Sequence, residues 1–164
     1  MTAIACVILA AGRGTRMNSA IPKPLHELCG RPMIDYALAL ASAAGPERTI
    51  VVVGADVEEL TARLPEAVEV AVQEPQLGTG HAAGCVAETL ADFSGDVLIT
   101  CADIPLLTAE TFGALVELHR SEGAAATVLT MLPDDPTGYG RIVRDADGAV
   151  AAIVEHRDAD EATL

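Results

Sequence analysis

Short apolar runs rich in β-branched residues alternate with longer segments of helical period along most of this chain, and that alternation restricts its fold more than any other feature. Ile4 to Leu9 reads as a strand, and Met33 to Ala43 as a helix with Ile34, Leu38 and Ala41 on one face. Thr49 to Val53 is the next strand. Asp56-Val57-Glu58-Glu59 offers a helix cap with an acid three residues on, and the helix it opens is predicted to run to about Leu64. Val68 to Val72 returns as strand, Gly80 to Leu90 carries helical spacing, and Val97 to Cys101 is a continuous apolar run. Thr108 to Ser121 is amphipathic through Phe112, Leu115, Val116 and His119. Strands this apolar need cover on both faces, which a mostly parallel sheet between helical layers supplies. Right-handed crossovers then predict a doubly wound, Rossmann-like α/β fold, whose ligands gather beyond the carboxyl ends of the strands.

After Ala125 to Leu132 the period changes. Asp134 to Gly140 is rich in turn residues, and Ile142-Val143 with Val150 to Glu155 around Asp147-Gly148 predicts a small β-hairpin beside the main sheet. The 164 residues read as one domain without repeat or low-complexity linker. Hydrophobic residues make up 51% of the chain, which excludes a disordered tail, but there are only two Tyr, two Phe and no Trp, so the core must be aliphatic. The same shortage argues against stacking of single-stranded bases, and a formal net charge of −14 opposes a phosphate backbone; no nucleic-acid partner is expected.

The N-terminal apolar run is far shorter than the roughly 18 to 20 residues that span a bilayer and lacks a basic leader, so no membrane partner is expected either. Cys6, Cys29, Cys85 and Cys101 form no C-x-x-C pair, which fits a reduced, cytoplasmic protein.

A small phosphorylated ligand is compatible with this charge if the few cations are concentrated around it, and the loop after the first strand concentrates them. In Gly12-Arg13-Gly14-Thr15-Arg16 two glycines let the backbone approach an anion, with two arginines alongside. Glycines alone fit an ordinary turn equally well; the arginines favour a phosphate cradle. The loop is not a Walker A sequence, and Met17 stands where a dinucleotide fingerprint has its third glycine.

Lys23 sits between Pro22 and Pro24, which fix the backbone around its ammonium and suit it to a second phosphate group. Asp103 follows the strand Val97 to Cys101 at the edge where α/β ligands bind, and one carboxylate completed by water and substrate phosphates is the usual setting for Mg²⁺. Gln73 ends the third strand with an amide able to pair with a base edge. His26, His81, His119 and His156 lack metal-ligand spacing and read as structural. Glu155 ends an apolar strand, a position that can face inward.

Taken together, Leu9 to Met17, Pro22 to His26, Gln76 to Ala82, Ala102 to Leu106, Asp135 to Ile142 and Ile153 to His156 resemble the sugar nucleotidylyltransferases. Within that family they are most similar to the pyrophosphorylase domain of the bacterial bifunctional N-acetylglucosamine-1-phosphate uridylyltransferases, over essentially the whole chain. Leu77 to Ala82 and Gly138 to Arg141 are the more specific runs.

The resemblance implies that Arg16 and Lys23 are catalytic and hold phosphates, and that Asp103 binds Mg²⁺. Gln73, Gly78 and the backbone of Leu9, Ala10, Ala11 and Gly12 would recognise uracil and its ribose, with Gly14 and Thr79 also in the substrate-binding set. Gly140 and Glu155 would face the sugar. The reaction implied is UTP plus N-acetylglucosamine 1-phosphate giving UDP-N-acetylglucosamine, a peptidoglycan precursor, and pyrophosphate. Another sugar phosphate or base, and nucleotide binding without turnover, stay open as alternatives. Leu164 precedes the Asn residues that in the family contact the sugar and complete the metal site, and also the β-helix acetyltransferase domain, so no acetyltransferase activity is expected of this chain.

Overall fold

A computed structural model describes residues 2–12, 14, 17–55, 58–161 and 163. Their contacts divide the chain into two compact units, Met1–Thr127 and Val128–Leu164.

The first unit is built on four parallel strands: β1 at Ile4–Leu9, then, past two short strands, β4 at Arg48–Val53, β5 at Glu69–Val72 and β6 at Asp96–Cys101. Their order across the sheet is β5-β4-β1-β6. The chain therefore steps outward from β1 to β4 to β5 and then crosses back to the other side of β1. β1 is buried because both of its edges are paired, to β4 and to β6, and both of its faces are covered.

Alternation along β1 sends Ile4, Cys6 and Ile8 to one face and Ala5 and Val7 to the other. The first set packs with Ile34, Ala37, Leu40 and Ala41 of helix α1 (Met33–Ala43), Leu60 of α2 (Glu58–Thr61) and Phe112 of α4 (Ala109–Ser121). The second set packs with Ala82 of α3 (Thr79–Gly84) and with Val86. Helices on both faces of a parallel sheet make the doubly wound α/β fold expected from the sequence. Among the described residues no helix is long and apolar enough to cross a membrane.

Several boundaries differ from the sequence pattern. α3 ends at Gly84, and the helical period that continues to Leu90 is carried by turns, with Cys85 N bonded to His81 O and Leu90 N to Val86 O. A glycine inside a helix costs about 1 kcal/mol relative to alanine, while Val86 and Leu90 pack on the core whether the backbone is helical or turned. α2 is a single turn, and the cap expected at Asp56 lies outside the described residues. The two short strands, β2 at Glu27–Leu28 and β3 at Arg31–Pro32, form an antiparallel pair of two residues each, too short to leave a periodic signal.

In the second unit β7 (Arg141–Arg144) and β8 (Val150–Val154) form the expected antiparallel hairpin. Every β8 residue but Val154 is exposed.

Candidate functional site

The backbone ladders of the sheet run one residue past the ends of the strands, and this aligns three loops along its carboxyl edge. Ala10 N donates to Val52 O at 2.8 Å, Ala102 N to Leu9 O at 3.0 Å, and Gln73 N to Val53 O at 2.7 Å. The loops following β1, β5 and β6 therefore leave the sheet side by side. They do so where the strand order reverses around β1, the position at which doubly wound sheets open a ligand crevice.

A cavity of about 700 Å³ lies there. Leu9, Ala10, Ala11, Gly12 and Gly14 line it from the loop after β1, and Lys23 from the turn beyond. Gln73, Gly78 and Thr79 line it from the loop after β5, and Asp103 from the end of β6. Ten of the residues singled out from the sequence are thus brought together. Arg16 lies outside the described residues, as do Arg13 and Thr15.

Gly14 has φ +59°, and a Cβ built on it would stand 2.8 Å from Lys23 Cβ. Only glycine combines that backbone conformation with so close a neighbour. Lys23 begins a short 3-10 turn, Lys23–Leu25, held by Leu25 N to Pro22 O at 2.9 Å and anchored by the buried Pro24. Its ammonium donates to Asp103 Oδ2 at 2.5 Å across 80 residues of sequence. Both side chains are about one-third exposed, at 30% and 39%. At that exposure an ion pair contributes little net stability, so a phosphate for Lys23 and a cation for Asp103 can replace it without a large penalty.

Among the described residues no cluster of three or more His, Cys, Asp or Glu side chains could hold a metal. A divalent ion would therefore rest on Asp103 with water and ligand oxygens, a donor set that suits a hard cation. Cys101 also lines the cavity, and burial, reinforced by the Asp103 carboxylate, pushes its thiol above the usual range.

Gln73 is 4% exposed and donates from Nε2 to Gly78 O at 2.9 Å. Gln76 lines the same cavity and was read from the sequence only as part of a motif run, and Gly54 beside it was not picked out. Gln76 Nε2 donates to Ala11 O at 2.7 Å, tying the loop after β5 to the loop after β1. Gly54 makes room for that amide, since a Cβ there would lie 2.4 Å from Gln76 Nε2. His81, read as structural, lies 3.1 Å through Nδ1 from Gln73 Nε2. No spacing rule marks such residues, because each acts by a contact that only the folded loops create.

Gly140 and Glu155 belong to the second unit, just before β7 and just after β8. Glu155 is exposed rather than inward-facing. Among the described residues β8 pairs with β7 alone.

A doubly wound sheet with a glycine turn, a lysine, a buried amide and a carboxylate at its switch point defines a nucleotide-handling α/β domain. Residues 6–160 match the MobA-like NTP transferase domain, and the chain belongs to that family of nucleotidyltransferases. It is 52% identical over 155 residues to the bifunctional protein GlmU of Geobacillus thermodenitrificans (strain NG80-2), a match covering 94% of this chain and 34% of that protein. The chain thus spans about a third of the length of this relative.

Among solved structures it is similar to a Bacillus anthracis protein in complex with sucrose, described as a glucose-1-phosphate thymidylyltransferase. There the TM-score is 0.75 at 20% identity, over 94% of this chain and 65% of that one. It is also similar to Rv0371c from Mycobacterium tuberculosis H37Rv in complex with manganese, with a TM-score of 0.57 at 22% identity over 73% and 61% of the two chains. At these identities the two structures speak for the fold.

Proposed function

We propose that this chain transfers a uridylyl group from UTP to N-acetylglucosamine 1-phosphate, giving UDP-N-acetylglucosamine and pyrophosphate. The observation that carries the reading is the convergence of the loop after β1, Lys23, Asp103 and Gln73 on one cavity at the switch point. Its volume falls within the range of about 300–1,000 Å³ usual for small-molecule sites. The likeness to GlmU over 94% of the chain supports the choice of base and sugar.

An oxygen of the sugar phosphate attacks the α-phosphorus of UTP in line. The bond from that phosphorus to the α,β-bridging oxygen breaks, and pyrophosphate leaves. Such a displacement needs positioning and charge stabilisation rather than a protein nucleophile. Lys23, and Arg16 by its place in the sequence motif, hold the phosphates by charge-assisted hydrogen bonds. Mg²⁺ on Asp103 would neutralise charge on the phosphate oxygens when bound, and the manganese complex of Rv0371c supports a divalent ion in this fold. Gln73, Gly78, Thr79 and the backbone of Leu9, Ala10, Ala11, Gly12 and Gly14 serve the nucleotide. The assignment of Gly140 and Glu155 to the sugar rests on the sequence motif alone.

Pyrophosphate release measured with UTP, Mg²⁺ and N-acetylglucosamine 1-phosphate tests the reading. Release that requires all three is expected. Binding of UTP with no release would leave a nucleotide-binding domain without turnover.

A further inference from the structure

The Gln73 carboxamide is held at two points, and together they fix which way round it stands. Its Nε2 lies 2.9 Å from Gly78 O and 3.1 Å from His81 Nδ1. A carbonyl oxygen can only accept, so the amide nitrogen must face Gly78; turned over, the amide would set oxygen against oxygen at hydrogen-bond distance. The second amide proton then goes to His81. The Nδ1 of that ring must be its unprotonated, accepting nitrogen, and the ring proton sits on Nε2.

With both amide protons engaged, Oε1 is what Gln73 has left to offer. It takes no hydrogen bond among the described residues, and it is not among the side-chain atoms sealed from solvent without a partner. On a side chain that is 4% exposed and lines the cavity, such an acceptor is a reading head for a ligand.

We propose that His81 is a positioning residue that locks the Gln73 carboxamide with its oxygen toward the cavity. The site thereby accepts a pyrimidine carrying a proton on its ring N3, uracil, and disfavours cytosine, which presents a lone pair there. The inference rests on the uridylyl reading above and adds how the base is chosen. Gly78 O alone holds one amide proton. Without His81 the second is unpaired in a buried place and Gly78 O is the one remaining restraint, so the amide can swing away from it at the cost of a single hydrogen bond and meet either base.

Equilibrium binding of UTP and of CTP, with Mg²⁺, to the full chain tests this in three forms: wild type, His81→Phe and His81→Asn. Phenylalanine keeps the ring without the acceptor, and asparagine places an oxygen close to where Nδ1 stands. The preference for UTP over CTP is expected to fall about tenfold in His81→Phe, as for one lost hydrogen bond, and to be largely recovered in His81→Asn. An unchanged preference in His81→Phe, or no recovery in His81→Asn, overturns the proposal.

The ¹⁵N shifts of the His81 ring in the wild-type chain give a readout independent of variant folding. The tautomer protonated on Nε2 is expected, and a proton on Nδ1 overturns the proposal. A wild-type chain with no affinity for either nucleotide would instead overturn the uridylyl reading.

Discussion

Lys23 and Asp103 meet in one ion pair although each was read from the sequence as serving a separate ligand group. The two readings are compatible, because a partly exposed pair is weak and keeps both charges at the mouth of one cavity, where the proposed function has phosphate and cation bind. Asp103→Asn is expected to lower metal-dependent turnover about a hundredfold or more, the usual loss on removing one charge-stabilising group, while thermal unfolding barely moves. Unchanged kinetics would refute the metal role. Arg16→Ala should weaken UTP binding by roughly 1.5 to 3 kcal/mol, the value of a charge-assisted hydrogen bond; an unaltered dissociation constant by calorimetry would remove Arg16 from the phosphate site.

The thiols differ as sharply. Burial pushes Cys6 up to about 12, whereas Cys29 is exposed. Because the thiolate is the reactive form, a maleimide at neutral pH should label Cys29 within minutes and leave Cys6 untouched until the chain unfolds. Mass spectrometry of the labelled peptides decides this.

At the scale of elements, the β4 and β5 strands are pinned at their amino ends by a charge network that reaches the segment before β6. Arg48 donates from Nε and Nη2 to the two carboxylate oxygens of Glu69 at 2.8 and 2.6 Å, and from Nη1 to Asp92 at 3.1 Å. The hydrogen bonds from Arg48 hold the Glu69 carboxyl below the usual glutamate range. A depressed carboxylate contributes stability that is complete above its unfolded pKa and is lost as pH falls through the lower folded value. Glu69→Gln should therefore destabilise the chain at neutral pH and converge with wild type in acid. Parallel urea midpoints at every pH would contradict this.

Much at this scale was legible in advance. β1 and α1 have the bounds read from the sequence, because an unbroken apolar run and a clean 3.6 period each admit one structure. α3 was read too long because burial of Val86 and Leu90 has the same spacing in a helix and in a chain of turns. β2 and β3 carry no period at all, since two residues cannot show one.

For the molecule as a whole, stability is expected to differ between the two units. β1 is paired on both edges and buried on both faces, whereas among the described residues β7 and β8 pair only with each other. An isolated two-stranded ribbon is marginally stable in water. Amide hydrogens of β7 and β8 should exchange by local opening, and those of β1 only by global unfolding. Equal protection in native-state hydrogen exchange would contradict that division.

The sequence by itself determined the layered α/β fold, through the alternation of periods, and it named the chemical types that line the candidate site: a glycine turn, a lysine between prolines and an aspartate after a strand. Periodicity and residue type are local properties, and both survive without knowledge of tertiary contacts. Only the tertiary structure decided which groups face each other. It brought Lys23 onto Asp103, laid Gln76 across to Ala11 and set His81 behind Gln73. Those pairings depend on how the strand order reverses around β1 and on how far each loop reaches past its strand.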